Sequence, residues 1–277
     1  MAFPLTKSAM EALGKRLVKF SPPASDDIKS LQGLLFAYDE ALAIAVDLVR
    51  DNLGHEPTSR IKTTGTILDK LRRHGGSSLK GMQDLAGMRI VKDCDRTEQD
   101  GLAEGLVCLF AKYGNTRPRL VDRRTNPSYG YRALHIIVYI SGAPVEIQLR
   151  TQLQHEWADL FEKLADRVGR GIRYGEPPEH WRDQAVSLNI KFVGENSSEW
   201  GIEDSSKEML REKLYRSSYR HREAIVDLAH ALSNVIDAYE TAASGLSPDE
   251  LAELNIAFAT IRSEIQDLGT VPLPENS

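Results

Sequence analysis

Three polar side chains alternate with aliphatic ones near the middle of the 277-residue chain. Glu146, Gln148 and Arg150 are each separated from the next by one aliphatic residue. Because successive side chains of a β-strand point to opposite faces, this spacing predicts that the acid, the amide and the guanidinium share one face. Such a row of groups could form the floor of a site that binds charged ligands.

A second acid lies upstream of this row. Asp84 comes just before a predicted strand, 88–92, and Arg89 lies within that strand. An acid in this position is often only a cap or a turn residue. It gains a chemical role if it converges with Glu146, because two carboxylates can hold one or two Mg²⁺ ions.

Cations are concentrated in the stretch 59–73. A strand would point Arg60 and Lys62 to the same side, and a short helix beginning at Gly65 would carry Lys70. Such an array could bind phosphate oxygens, because the backbone N–H groups of a helix N-terminus add to the cationic field. A solvated basic helix face accounts for the same residues without a ligand.

A second group of cations lies in a predicted loop, 116–130, that precedes the central strands. Four arginines fall within eight positions and only Asp122 opposes them: Arg117, Arg119, Arg123 and Arg124. Guanidinium forks suit phosphates, so Arg123 and Arg124 are candidates for binding an acceptor substrate. A loop that is kept soluble by its charge is an equally good interpretation.

Several common catalytic patterns are missing from the sequence. It contains no GxxxxGK[ST], no GxGxxG after a strand, no HExxH and no nucleophile elbow. Two acids with two cationic clusters are the groups that phosphoryl or pyrophosphoryl transfer requires. Tyr131 adds a ring on which a base could stack. The residues alone therefore indicate a metal-assisted transferase that handles nucleotides.

The elements that must position these groups alternate along the chain. Between 59 and 168 the order is strand or turn, helix, strand, helix, long loop, two strands and helix. This order predicts an α+β domain with a mixed, mostly antiparallel sheet flanked by helices, followed by a helical C-terminal extension. We assign 1–58 to N-terminal helices that pack on the core, 59–175 to the catalytic core, and 176–277 to a mainly helical region for packing, oligomerisation or partner binding.

Composition limits the partners and the cellular compartment that we expect for the chain. The net charge of −5 gives no general attraction to nucleic acid, so anion binding must come from local patches. Cys94 and Cys108 are the only cysteines and form no CxxC pattern, which favours a reduced, cytoplasmic chain. No signal peptide and no apolar run of membrane-spanning length is present, so no membrane partner is expected.

Four motifs in this order resemble the synthetase domain of the RelA/SpoT family, over roughly residues 30–175. They are R-x-K-x-x-x-T-I-x-x-K at Arg60–Lys70, D-L-x-G-M-R-I at Asp84–Ile90, G-Y-R-A-L-H at Gly130–His135 and E-I-Q-L-R-T at Glu146–Thr151. The resemblance implies a nucleotidyltransferase-like synthetase fold. It also implies an enzyme that uses Mg²⁺ and transfers the β,γ-pyrophosphate of ATP to a ribose 3′-hydroxyl.

The resemblance also implies roles for individual residues. Four cations would bind ATP: Arg60, Lys62, Lys70 and Arg89. Asp84 would bind Mg²⁺, and Glu146 would be a second metal contact or the base for the 3′-hydroxyl. Tyr131 would stack on the acceptor base beside His135, while Gln148 and Arg150 order the site.

Two departures from the family pattern affect the choice of acceptor. No hydrolase domain precedes the motifs, so the chain resembles the small, single-function synthetases. Where alarmone-making members carry Pro-Lys-x-Asn-Gly-Tyr, this sequence has Asn-Pro-Ser-Tyr-Gly-Tyr at 126–131, which resembles the toxic subgroup.

Three hypotheses follow. The first is a toxic enzyme that pyrophosphorylates the 3′-CCA end of tRNA and inhibits translation, restrained by a small antitoxin protein and serving in phage defence. The second is an alarmone synthetase that makes (p)ppGpp from GDP or GTP, or (p)ppApp from adenosine nucleotides. The third is an inactive nucleotide- or RNA-binding module, which is disfavoured because both acids and the cations are present. A homo-oligomer is compatible with all three.

Overall fold

The computed structural model of the chain describes residues 4–73, 79–114, 116–178, 204–242 and 246–267. Contacts divide the chain into two compact units. The first unit consists of the residues up to 125 and residues 133–152. The second consists of residues 126–132 and the residues from 153 onward.

Five strands form one sheet in the first unit. Their bounds are β1 Thr58–Ile61, β2 Ala86–Lys92, β3 Arg119–Asp122, β4 Leu134–Ile140 and β5 Ala143–Thr151. The spatial order is β1-β2-β5-β4-β3, with β2 and β5 parallel and the other three pairs antiparallel. The predicted α+β class with a mixed, mostly antiparallel sheet is therefore confirmed.

Strand β3 was not predicted, since its residues fall within the stretch expected to be a loop. It pairs with β4 in antiparallel register, with Arg119 opposite Ile137 and Asp122 opposite Leu134. A short strand at the edge of a sheet carries charged residues that blunt further pairing. Those charges remove the apolar alternation by which a strand is recognised in a sequence.

Four helices belong to the first unit: α1 Lys7–Lys19, α2 Ser25–Leu53, α3 Thr64–Arg73 and α4 Arg96–Tyr113. Helix α2 ends at Gly54, whose φ of 65° is the left-handed conformation that glycine tolerates. Helix α4 begins with a capping box, in which Asp95 and Glu98 satisfy each other's backbone N–H groups.

Helices α2 and α4 contact the sheet and bury its apolar face. Val145, Ile147 and Leu149 of β5 are fully buried there, in one core with residues of α1, α2 and α4. Each buried aliphatic side chain contributes roughly 1.5–3 kcal/mol to folding. A register slip of one residue would exchange them for Glu146 and Gln148, so this burial determines which side chains line the opposite face.

The second unit is built from helices: α5 Gln152–Val168, α6 Asp204–Thr241 and α7 Pro248–Asp267, with a 3₁₀ turn at Arg170–Tyr174. Its core brings together Trp157 and Phe161 of α5, Ile236 of α6 and Phe258 of α7. Helix α7 begins with a capping box, because Glu250 accepts from the Ser247 backbone N–H at 2.8 Å and its own N–H donates to the Ser247 hydroxyl.

The two units begin and end elsewhere than the predicted domain boundaries at 58/59 and 175/176, which stay predictions. Helices α1 and α2 share the core of the sheet, whereas most of α5 shares a separate core with α6 and α7. Residues 184–194, whose sequence fits either a strand or a buried helix, lie outside the described residues. Within the described part of the chain, no helix combines the length and the apolar character that crossing a bilayer requires.

Candidate active site

The polar face of the sheet carries the residues of the predicted row. Glu146 of β5 lies opposite Gly87 of β2, and Gln148 lies opposite both Arg89 of β2 and His135 of β4. Side chains of paired residues project to the same face, so these groups stand side by side. The predicted alternation of β5 places them there.

A groove of ≈ 260 Å³ opens on this face. Both acids line it, together with two of the predicted ATP-binding arginines and other residues of β1, β2 and β5. Its polar lining residues include Arg60, Asp84, Arg89, Glu146 and Gln148. The convergence of Asp84 with Glu146, which the sequence only made conceivable, is therefore present in the fold.

Asp84 is held between two lysines. Lys62 Nζ lies 2.7 Å from Asp84 Oδ2, and Lys70 Nζ lies 3.0 Å and 2.9 Å from the two carboxylate oxygens. Backbone pairing brings Lys62 into reach, because its N–H donates to the carbonyl of Leu85 directly after β1. Burial raises the pKa of Asp84, but the hydrogen bonds and charges of the two lysines outweigh it and keep that pKa below its ordinary value.

Glu146 lies within a second network. His135 Nδ1 lies 2.9 Å from Glu146 Oε1, and Gln148 Nε2 donates to Oε2 at 2.9 Å. Arg150, which can only donate, donates to Gln148 Oε1 at 3.0 Å and so directs the amide N–H₂ of Gln148 to the carboxylate.

These contacts keep Glu146 ionised. Burial and the charge of Asp84 raise the pKa of Glu146, and burial is the largest single influence. The hydrogen bonds of His135 and Gln148 and the charge of His135 outweigh them, so the pKa of Glu146 lies below its ordinary value. At neutral pH the groove therefore presents two carboxylates among cations.

Arg124 occupies a different environment from the one predicted. It is 7% exposed, and its guanidinium donates to Asp122 at 2.8 Å, to Asp100 at 2.6 Å and to Gln99 at 3.0 Å. Gln99 in turn donates to the carbonyl of Leu149. These contacts join β3 to α4 and β5, which gives Arg124 a structural role. Arg123 is exposed, and its acceptor role stays a prediction.

Arg119, which the sequence presented only as one of four loop arginines, lies on the same face of the sheet as Glu146. It lies opposite Ile137, which lies opposite Glu146, so the three residues share one face of the sheet. Its guanidinium donates to the side-chain oxygen of Gln83, the neighbour of Asp84. A strand prediction for residues 119–122 would have placed Arg119 and Val121 on one face. That stretch was predicted to be a loop, so its sequence provided no such indication.

Tyr131 belongs to the second unit, whereas the other predicted site residues belong to the first. It is half-buried and packs against the second core. The motif Gly130–His135 is thus divided between two units. The structure brings together, within the first unit, Arg60, Lys62, Lys70, Asp84, Arg89, His135, Glu146, Gln148 and Arg150.

The donor set suits a hard divalent cation. Asp84 and Glu146 offer carboxylate oxygens to one groove, and Mg²⁺ is commonly bound by one or two carboxylates with substrate phosphates completing its shell. Among the described residues, no group of three or more His, Cys, Asp and Glu side chains could hold a metal ion by itself. Protein groups alone would therefore supply only part of the coordination.

Residues 59–165 match the family model described as the region found in RelA / SpoT proteins. The matched span contains the sheet except for its first residue, Thr58, and both acids of the groove. It ends within α5, so α6 and α7 lie outside the match.

Curated relatives were found in mycobacteria. An uncharacterized protein of Mycobacterium tuberculosis and one of Mycobacterium bovis are each 46% identical to this chain over 134 residues. The match covers 48% of this chain and 48% of each relative, so it spans about half the length of these proteins.

Solved structures with a detectable likeness include small alarmone synthetase 1 of Bacillus subtilis, 21% identical, with 86% of this chain and 99% of that chain covered and a TM-score of 0.42. The same protein bound to its product pppGpp is 23% identical, with 58% of this chain and 94% of that chain covered and a TM-score of 0.38. A GTP pyrophosphokinase family protein of Streptococcus pneumoniae is 18% identical, with 73% of this chain and 97% of that chain covered and a TM-score of 0.41.

Proposed function

We propose that this chain, which carries a RelA/SpoT region over residues 59–165, is an ATP-dependent pyrophosphokinase that acts on a ribose 3′-hydroxyl. One observation carries the proposal. Asp84 and Glu146 line one groove, and each is kept ionised by its own set of partners. A pair of charged carboxylates beside arginines and lysines suits metal-assisted transfer of a highly charged phosphate group.

The cations of the groove would bind the ATP phosphates. Arg60 and Arg89 line the groove, and their forked guanidinium groups suit phosphate oxygens. Lys62 and Lys70 already contact Asp84, and they would turn to the phosphates once Mg²⁺ shares that carboxylate. Asp84 and Glu146 would hold the Mg²⁺, whose chemistry is to neutralise the charge of the transferred group.

The acceptor hydroxyl would meet Glu146. The 3′-oxygen forms a bond to the β-phosphorus of ATP and releases its proton to solvent water, the bond from that phosphorus to the oxygen shared with the α-phosphate breaks, and AMP leaves. A lowered pKa makes Glu146 a poor store for the hydroxyl proton, since general bases work best near the ambient pH. It favours Glu146 as a charged contact that orients the hydroxyl, held in place by His135 and Gln148.

The acceptor that we propose is the 3′-CCA end of tRNA. Arg117, Arg119 and Arg123 are exposed close together along the chain, where they can meet the RNA backbone. A pyrophosphate on the terminal 3′-hydroxyl would prevent that hydroxyl from carrying an amino acid. Translation would stop, which is consistent with a toxin that an antitoxin protein restrains.

Transfer to a free purine nucleotide is the second candidate, and one observation favours it. Arg124 was counted among the cations for RNA, but Asp122, Asp100 and Gln99 bind its guanidinium. The surface offered to a tRNA is therefore less basic than the sequence suggested. GDP, GTP and adenosine nucleotides need fewer backbone contacts than an RNA does.

A labelling experiment tests both the reaction and the acceptor. Purified protein is incubated with Mg²⁺ and ATP labelled in its γ-phosphate, with bulk tRNA, GDP, GTP or AMP in separate tubes. We expect label in tRNA. Removing the 3′-terminal nucleotide from that tRNA should remove the label with it. Label only in guanosine or adenosine nucleotides would replace the tRNA proposal with an alarmone synthetase.

Two controls connect the label to this groove. Glu146→Gln should lower the transfer by about 10²–10³-fold, whereas Glu104→Gln alters an exposed acid of α4 and should leave it unchanged. If a folded wild-type protein labels no acceptor at all, the proposed enzyme activity is wrong and a binding module takes its place.

A further inference from the structure

We infer that helix α6 positions the acceptor turn, residues 126–132, and thereby controls how well the enzyme binds its acceptor. The inference rests on the proposed function and on the role that the family resemblance implies for Tyr131 of this turn, stacking on the acceptor base. It assigns Ser233 and Asp237 as positioning residues, although both lie beyond the 59–165 family match. All the contacts that carry it lie within the second unit.

The acceptor turn contains a strained backbone position at Tyr129. Tyr129 and Gly130 have φ values of 50° and 81°, and the backbones of Ser128 and Tyr131 donate to each other across them. Positive φ at both central positions is the pattern of a type I′ turn, which favours Asn and Gly. A tyrosine in that conformation costs on the order of 1–3 kcal/mol, so surrounding contacts must offset it.

The first contact from α6 is a hydrogen bond to the turn itself. The Ser233 hydroxyl donates to the carbonyl of Gly130, directly before Tyr131. Ser233 is only 2% exposed. A buried serine on a long helix is thus hydrogen-bonded to Gly130, one of the two positive-φ residues of the turn. Burial of its hydroxyl favours a role in positioning the turn.

The second contact from α6 holds the residue on the other side of Tyr131. Arg132 is buried, and its guanidinium donates to Asn234 Oδ1 at 3.0 Å and lies 3.4 Å from Asp237 Oδ2. A buried charge that loses its partner is costly, so this pair is a strong local constraint. Tyr131 is therefore fixed to one helix through both of its neighbours.

The floor of the turn comes from α5, which is itself joined to α6. Trp157 donates its indole N–H to the carbonyl of Ala229 at 2.7 Å. A Cβ built on Gly130 would lie 2.7 Å from the Trp157 ring, so the backbone of the turn rests on that ring. The ring of Tyr129 likewise lies against Gly175, where a Cβ would come within 2.2 Å of it.

These contacts pre-organise Tyr131 before any acceptor arrives. Holding a binding residue in place reduces the ordering cost that binding would otherwise incur. Loosening the α6 contacts should therefore weaken acceptor binding while leaving the ATP groove intact, because the groove residues belong to the first unit. A helix with a purely structural role would alter both substrates or neither.

The test compares Ser233→Ala and Asp237→Asn with Asp227→Asn, which removes an exposed carboxylate from the same helix. KM for ATP, KM for the acceptor and kcat are measured in the full chain, using whichever of bulk tRNA and GTP the wild-type protein labels. We expect the acceptor KM to rise about tenfold in the first two variants, the size of a lost interaction of ~1.4 kcal/mol, with the ATP KM unchanged.

Rescue makes the assignment specific. The double variant with Arg132→Asp and Asp237→Arg restores the ion pair with its two charges exchanged. Its acceptor KM should therefore lie below that of Asp237→Asn. An unchanged acceptor KM in folded Ser233→Ala and Asp237→Asn overturns the inference, as does an equal rise for both substrates. If Ser233→Ala does not fold, the milder Asp237→Asn decides in the same way. A wild-type protein without transfer activity overturns the proposed function instead, so the two failures are distinct.

Discussion

His135 of β4 and Glu146 of β5 are diagonal neighbours on the same face of the sheet, with Nδ1 of the imidazole 2.9 Å from Oε1 of the carboxylate. The two residues lie on adjacent strands rather than in one motif. Their contact occupies one carboxylate oxygen and Gln148 occupies the other, so the orientation of Glu146 is set before a substrate binds. This preorganisation of a charged group is what the proposed transfer requires of it.

Replacing Glu146 with Gln should lower kcat by about 10²–10³-fold, because the charge that would orient the acceptor hydroxyl and share the metal is lost. ATP binding should survive, since the cations of the groove are unchanged. Transfer of label and the affinity for a non-hydrolysable ATP analogue are the measurements. Wild-type kcat in the folded variant would remove Glu146 from the mechanism.

The acid limb of the pH–rate profile should lie below 4.5, the ordinary pKa of a glutamate, because the pKa of Glu146 is lowered. Gln148→Glu should move that limb to higher pH, since a like charge replaces a donor beside Glu146. Circular dichroism at each pH separates loss of activity from unfolding. A limb that does not move would show that Glu146 does not carry it.

Stability at acid pH should depend on Asp84. Its pKa is lowered, so its contribution is fully present above the ordinary value of 3.8 and is lost as the pH falls through the lowered value. Asp84→Asn should therefore reduce the urea midpoint at neutral pH and make it less sensitive to acid. Parallel pH dependences of the variant and the wild type would contradict the pairing with Lys62 and Lys70.

Arg119→Ala should raise the KM of one substrate about tenfold, because a guanidinium on the same face as Glu146 is expected to bind phosphate. Arg119→Lys should recover only part of that loss, since a lysine keeps the charge but not the fork. Lys112→Ala is the control, as it removes an exposed cation at the end of α4. Equal effects of Arg119→Ala and Lys112→Ala would indicate a general charge effect.

Gly130→Ala should destabilise the protein by about 1–3 kcal/mol, because φ is 81° and the added Cβ would lie 2.7 Å from Trp157. Gly33→Ala is the matched control, since its added Cβ meets nothing within 4 Å in the middle of α2. That change should be neutral or stabilise by roughly 0.5–1 kcal/mol. Urea unfolding of both variants provides the comparison, and equal midpoints would contradict the packing of the acceptor turn.

Local pattern was sufficient where one physical requirement governed it. The alternation of β5 predicted that Glu146 and Gln148 share a face, because burying the aliphatic residues of the same strand leaves the polar ones no other face. The end of α2 at Gly54 was equally predictable, since a left-handed residue ends a helix and glycine adopts it most easily.

The sequence pattern did not predict the environment of a side chain whose partners are distant along the chain. Arg124 and Arg119 look alike in the sequence, yet Arg124 is buried against Asp100 and Gln99 whereas Arg119 lies on the face of Glu146. Nothing within the loop distinguishes the two residues. The difference comes from the pairing of β3 with β4 and from the position of α4.

The sequence by itself determined the α+β class, the polar face of β5 and the identity of the two acids, because these follow from periodicity and residue type. Only the tertiary structure decided that Lys62 and Lys70 meet at Asp84, that His135 binds Glu146, and that the acceptor turn packs with α6. Each of these contacts joins residues that no local period relates. Strand pairing and the packing of helices bring them together, and both depend on the whole chain.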